Sequence, residues 1–150
     1  MQNKITIYTD GAARGNPGKA GWGVVILGKE VVELGGREDH ATNNQMELTA
    51  TIQALEYLKM SKTVFDKVKI FSDSKYVILG ITEWIYGWMK NNWRNADKKP
   101  VMNRELWEKL YALNATVKPK WHYIEGHTGN KWNERADTIA TSFADNQPVI

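Results

Sequence analysis

Lys4-Ile5-Thr6-Ile7-Tyr8-Thr9-Asp10 alternates apolar with polar side chains and stops on an acid. Strict alternation is the pattern of a half-buried strand. After it, Gly11, Gly15, Asn16, Pro17, Gly18 and Gly21 crowd into residues 11–21, which read as a turn-rich connection. Residues 21–27 and 31–34 read as two more strands, joined hairpin-fashion through Gly28-Lys29-Glu30. Then the period changes. Leu48, Ile52, Leu55 and Leu58 recur at helical spacing over residues 44–60, with Asn43 or Asn44 as N-cap and Glu47 in the first turn. Residues 67–73 alternate again and end on Asp73. Beyond them the pattern predicts a short helix over 74–79 stopped by Gly80, a second over 81–90, an exposed loop over 91–100 and a helix over 105–114. A fifth strand over 118–125, a loop over 126–131 and a last helix over 133–144 complete the chain.

This order predicts an α/β fold. Three strands with short connections are antiparallel, and two more, each reached through helix, are parallel. The result is a mixed five-stranded sheet with helices on both faces. In such sheets the carboxyl ends of neighbouring strands share a crevice. Asp10 and Asp73 stand at ends of that kind, while Glu47 and Asp137 sit on helical runs. One such acid alone is a helix cap or a surface charge. Several carboxylates brought together repel one another and favour a divalent metal ion.

The 150 residues suffice for one domain. A composition of 42% hydrophobic and 25% charged residues argues against disorder. The absence of cysteine removes disulfides, thiolate metal sites and cysteine nucleophiles. Met1-Gln2-Asn3-Lys4 does not open a signal peptide, and no apolar run approaches the ~20 residues of a spanning helix, so a cytoplasmic protein without a membrane partner is expected. The net charge of +3 lies between residues 90 and 99, where Lys90, Arg94, Lys98 and Lys99 face one acid, Asp97. Two readings stay open for this stretch: a patch for an anionic partner such as nucleic acid, or a solvated loop.

Five blocks then carry a resemblance. Tyr8-Thr9-Asp10-Gly11 with Gly15-Asn16-Pro17-Gly18, Thr42-Asn43-Asn44-Gln45-Met46-Glu47-Leu48, Ser72-Asp73-Ser74, Gly126-His127, and Asn133-Glu134-Arg135-Ala136-Asp137 occur in order. Together they resemble type 1 ribonuclease H, nearest its bacterial ribonuclease HI group, over roughly residues 4–144. The resemblance implies the ribonuclease H-like fold and a single catalytic domain over 1–150. It implies an endonuclease that hydrolyses the RNA strand of RNA–DNA hybrids with two Mg²⁺ ions, Mn²⁺ able to substitute, leaving 5′-phosphate and 3′-hydroxyl ends. Asp10, Glu47, Asp73 and Asp137 align with the family's metal-binding acids. Asp10 would bridge the ions, Glu47 and Asp73 would hold the one near the leaving group, and Asp137 the one near the attacking water. His127 takes a helper role in proton transfer or product release.

Carried over in the same way, Gly11, Asn16, Asn43, Asn44 and Ser74 would contact the hybrid. His40, Thr42 and Asn103 would form a pocket for a DNA phosphate. The stretch 81–99 resembles a basic protrusion in which Trp88 and Trp93 interleave with Lys90, Arg94, Lys98 and Lys99. Trp84 and Trp88 share a helix face; Trp84 is read as core-facing and Trp88 as a substrate contact. His122, inside a strand without a motif, is read as structural. The sequence departs from the family pattern at His40, where arginine is common and could fork onto a phosphate, and at Met89, Asn91 and Met102, often basic in relatives. Glu125 also stands where lysine is common. With no hybrid-binding domain before residue 4, a monomer without an obligate protein partner and of low processivity is expected. Two other readings are a module that binds hybrids without cutting and a ribonuclease H-like DNA nuclease.

Overall fold

The computed structural model describes residues 4–61 and 65–150; Met1-Gln2-Asn3, on which the expectation about a signal peptide partly rests, lie outside them. Strands β1 (Lys4–Gly15), β2 (Gly18–Leu27) and β3 (Val31–Ala41) form an antiparallel meander. Helix α1 (Asn43–Met60) leads to β4 (Lys67–Ser72). Then follow α2 (Lys75–Leu79), a π-helical turn (Gly80–Trp84), α3 (Ile85–Lys90), α4 (Arg104–Val117), β5 (Lys120–Tyr123) and α5 (Lys131–Ala144). The sheet order is β3-β2-β1-β4-β5, with β4 and β5 parallel to β1. Helices α1 and α4 cover one face around Ile7, Leu48, Leu55, Ile70 and Trp107; α5 covers the other through Ala136 and Ile139 against Tyr8 and Val25. No helix among the described residues is long and apolar enough to cross a membrane.

The glycine-rich stretch 11–21 is not a connection. β1 runs on to Gly15 and β2 starts at Gly18, so the turn is confined to the hairpin tip at Asn16 and Pro17. Only Gly15, with φ 105°, needs a backbone that other residues resist. Gly11 and Gly21 are glycines for close packing instead. A Cβ at Gly21 would stand 2.7 Å from the Ala144 nitrogen, and one at Gly23 would stand 2.9 Å from the Ala140 nitrogen. The backbone of α5 thus lies directly on β2.

β3 extends to Ala41, past the predicted end at 34, because its polar half keeps its ladder with β2. β5 is shorter than predicted, since Lys118 takes a left-handed conformation (φ 56°) to end α4. Gly80 does not stop a helix. The chain stays helical through the π turn, and the missing side chain makes room for the buried Trp107 indole. Helix α1 is capped by Thr42 rather than Asn43 or Asn44. Thr42 Oγ1 accepts from the Gln45 nitrogen at 3.1 Å and Gln45 Oε1 from the Thr42 nitrogen at 2.9 Å. This reciprocal box shifts Glu47 out of the first turn and onto a buried face.

The two protrusion tryptophans also change places. Trp84 is 41% exposed, whereas Trp88 is half-buried and packs its ring at 5.3 Å from Trp107 and 6.2 Å from Trp93. The helical phase that turns Ile81 and Ile85 into the core carries Trp88 toward it. Tyr76 Oη joins this cluster to α4, accepting from Asn103 Nδ2 and Trp107 Nε1, each at 3.1 Å. Tyr76→Phe strands both donors and is expected to cost about 1–3 kcal/mol of unfolding free energy. Urea denaturation of the two proteins checks this.

Candidate active site

Backbone register assembles the acids. Thr9 pairs with Ser72 as the last rung of the parallel β1–β4 ladder, so Asp10, in the middle of β1, and Asp73, just past β4, follow side by side where that ladder ends. Alternation points Asp10, like Tyr8, to the α5 face. Gly11 lets α1 approach: a Cβ there would stand 2.5 Å from the Glu47 nitrogen. The Gly11 N–H consequently lies between two carboxylates, 3.0 Å from Asp10 Oδ1 and 3.1 Å from Glu47 Oε1. Oxygens of Asp10, Glu47 and Asp73 all come within 4.8 Å of one another. Asp137 approaches from α5, held on its glycine track and anchored by Arg135, which donates to Glu33 Oε1 of β3 at 3.0 Å. It lies outside the tight trio but close enough to act on Asp10 and Glu47.

The electrostatics of this cluster are unfavourable as it stands. Burial first, then the charge of Glu47 and a proton shared with it, then Asp73 and Asp137, push the Asp10 carboxyl up to about 12. Burial likewise raises Glu47 to about 8, against the opposing hydrogen bonds from Asp10 and Gly11. Asp73 is also raised, by burial and by Asp137, while Asn133 and His127 pull it down. Glu47 Oε2 is buried and has no hydrogen-bond partner. A buried carboxylate oxygen without a donor, on a residue clustered with two more carboxylates, makes a hard-oxygen donor set that fits a divalent metal ion.

The loop after β5 closes one side. A Cβ on Gly126 would stand 2.7 Å from Asp73 Oδ2, so glycine permits the loop to rest on that carboxylate. His127 follows, exposed and with φ 60°. Asn133, almost fully buried at the start of α5, directs its side-chain amide at the Asp73 carboxyl. It was part of a motif in the sequence, but its position beside Asp73 was not legible there; a polar residue on the buried phase of an otherwise apolar helix face was the available signal.

The remaining candidate residues fall into three groups. Beyond Thr9 the edge of β1 leaves β4, and its free N–H groups turn to α1: Gly11 to Glu47, and Ala13 to Asn43 Oδ1 at 2.8 Å. Asn16 Oδ1 accepts from the Asn43 nitrogen at 3.1 Å, which ties the hairpin tip to the helix start, with Asn44 exposed beside it. Ser74 caps α2 next to Asp73 by accepting from the Val77 nitrogen. His40 is exposed and Thr42 is engaged in its capping box, while Asn103 (φ 62°) binds Tyr76. In the third group Lys90, Lys98 and Lys99 are exposed; Arg94 donates to the Lys98 carbonyl, and Trp93 lies under Arg104 at 5.2 Å. These two side chains hold the loop's own shape.

A carboxylate trio gathered from β1, α1 and the end of β4, two of its members buried, on a β3-β2-β1-β4-β5 sheet, is the arrangement of a metal-binding nuclease fold. Residues 2–145 match the RNase H family model. Ribonuclease H of Bradyrhizobium diazoefficiens is 53% identical over 137 residues, covering 91% of this chain and 86% of the relative. That of Ruthia magnifica subsp. Calyptogena magnifica is 50% identical over 144 residues, covering 95% and 97%. Among solved structures, LC11-RNase H1 in complex with RNA/DNA hybrid superposes with a TM-score of 0.69 at 31% identity, covering 95% of this chain and 97% of that one. The chain belongs to the ribonuclease H family.

Proposed function

We propose that this protein is an endonuclease that hydrolyses the RNA strand of RNA–DNA hybrids with Mg²⁺, leaving 5′-phosphate and 3′-hydroxyl ends. The observation that carries the reading is the carboxylate trio with an orphaned oxygen, set beside a hydrogen-bonded strand edge. Asp10, Glu47, Asp73 and Asp137 would hold the ions. Bound there, divalent cations supply an activated water and charge stabilisation at the leaving oxygen. The chain's own residues do the rest. Gly11 and Asn43 keep the β1 edge and the α1 start rigid, so that Asn16, Asn43 and Asn44 offer amides to the 2′-hydroxyl and phosphates of an RNA strand. His127, on the loop that rests on Asp73, would carry a proton away from the site. Lys90, Lys98 and Lys99 meet phosphates of the DNA strand as point charges. The hybrid bound by the LC11 relative supports this substrate class. The whole chain acts as one catalytic domain, and a cytoplasmic location belongs to the same proposal.

The reading predicts strand and sugar selectivity. With Mg²⁺ present, labelled RNA should be cut when annealed to DNA, and neither an RNA duplex nor a DNA duplex of the same sequence should be cut at a comparable rate. Equal cleavage of the DNA duplex would assign the site to a DNA nuclease instead.

A further inference from the structure

Outside residues 90–99 the chain carries 16 basic and 16 acidic residues, yet the fold gathers five of the basic ones together. Lys4, Lys67, Lys69, Lys118 and Lys120, from three separate stretches of sequence, line one cavity of about 470 Å³. It lies at the amino-terminal ends of β1, β4 and β5, opposite the ends that lead to Asp10 and Asp73. Register builds it: Lys4 pairs with Lys67, and Lys69 with Lys120. Alternation puts these four on the face that carries the stacked rings of Tyr8, Phe71 and His122. Like charges on facing rungs destabilise a sheet. None of the ion pairs found among the described residues uses any of the five lysines, and Asp66 is the one acid among the described lining residues.

A cationic cavity of this kind gains from an anionic occupant, and its chemistry narrows the choice. All five groups are lysines: flexible point charges that follow a backbone without reading bases. Lys67 and Lys69 are two residues apart on a strand, about 6.7 Å, a step comparable to that between successive phosphates. Ile5 and Val68, which alternate with these lysines, turn to the opposite face and pack with Val117 and Phe65 in the core under α1 and α4, so an occupant meets the lysines at the starts of the strands. The cavity is too small for a duplex.

We propose that this cavity binds the phosphodiester backbone of single-stranded nucleic acid, without sequence preference, at a place separate from the carboxylate cluster. The test is anisotropy titration of labelled oligodeoxythymidylate in EDTA, which is independent of cleavage. Lys67→Glu with Lys69→Glu and Lys120→Glu should weaken binding about ten-fold or more and flatten the salt slope by about two, from three lost contacts at ~0.7 each. The corresponding Lys→Gln protein should fall between parent and Glu variant, and it decides the matter if the Glu protein does not fold. Cleavage of a short blunt hybrid should stay near the parent rate in the Gln variant. Lys98→Glu with Lys99→Glu, in the protrusion, should weaken oligonucleotide binding less. Unchanged affinity in both cavity variants would overturn the proposal, as would a loss accounted for wholly by the protrusion variant. So would competition by polyglutamate as strong as by the oligonucleotide, which would point to an acidic polypeptide.

Discussion

Asp10→Asn is expected to lower hybrid cleavage on the order of 10³-fold and, in the absence of metal, to make the protein more stable. The first effect follows from position. Asp10 is the acid with the largest shift, and Glu47, Asp73 and Asp137 all push it upward. Replacing it removes one carboxylate from the middle of the cluster. The second effect follows from linkage. Asp10, Glu47 and Asp73 all titrate higher in the folded protein than ordinary carboxylates. A group with a raised folded pKa contributes its full stability below the unfolded value, near 4 for a carboxylate, and loses it as pH rises toward the folded value. The metal-free protein should therefore weaken between about pH 4 and pH 8. Asn in place of Asp10 removes the group with the largest shift. Its gain in unfolding free energy should be small near pH 4 and grow steadily toward pH 8. Urea unfolding in EDTA at the two pH values measures it, and Mg²⁺ should narrow the difference by stabilising the parent. A variant gain that does not change with pH would mean that the acids do not repel as described.

Gly23→Ala should cost roughly 2–3 kcal/mol and, separately, reduce cleavage roughly 100-fold. No acid of the cluster is altered by this change. The new methyl would press on the Ala136 carbonyl and stand 2.9 Å from the Ala140 nitrogen, both of them backbone atoms of α5 that cannot swing aside. Asp137 follows Ala136 directly, so the displacement of the helix moves an acid away from Asp10. Thermal unfolding and single-turnover cleavage separate the two losses. Val25→Ala gives the contrast: it shortens a fully buried side chain on the same face of β2 and should destabilise comparably while leaving Asp137 nearer its place. Equal activity losses in the two variants would show that stability alone, and not the seating of α5, governs the rate.

These two positions also mark what the sequence could and could not convey. Asp73 is legible because alternation shows where β4 ends; Asp10 is legible by the face it takes, although β1 does not end there but runs on to Gly15. The parallel order of β1 and β4 then makes them neighbours. Glycine has no such unambiguous pattern. Gly11, Gly21 and Gly23 look the same in sequence whether they turn the chain or admit a neighbouring element, and only the packed structure distinguishes them. Gly80 was read as a helix stop for the same reason, although a buried tryptophan 27 residues later requires it. The swap of Trp84 and Trp88 arose because a four-residue spacing gives one shared face but not its direction; Ile81 and Ile85 set that direction. The capping box at Thr42 was present in the sequence as threonine and glutamine three apart, but the asparagines between them competed for the cap. The lysine cavity was invisible because its members lie more than a hundred residues apart in the chain, from Lys4 to Lys120, and meet only through strand register.

The most direct test of the central claim is gel analysis of 5′-labelled RNA annealed to DNA, incubated with the protein as Mg²⁺ is titrated from none to saturation. The carboxylate cluster predicts no cleavage in EDTA, cleavage of the RNA strand that rises with Mg²⁺ to a plateau, and no cleavage by the Asp10→Asn protein on the same gel. RNA that stays intact at every Mg²⁺ concentration while the hybrid is bound, or that is cut equally in EDTA, would contradict it.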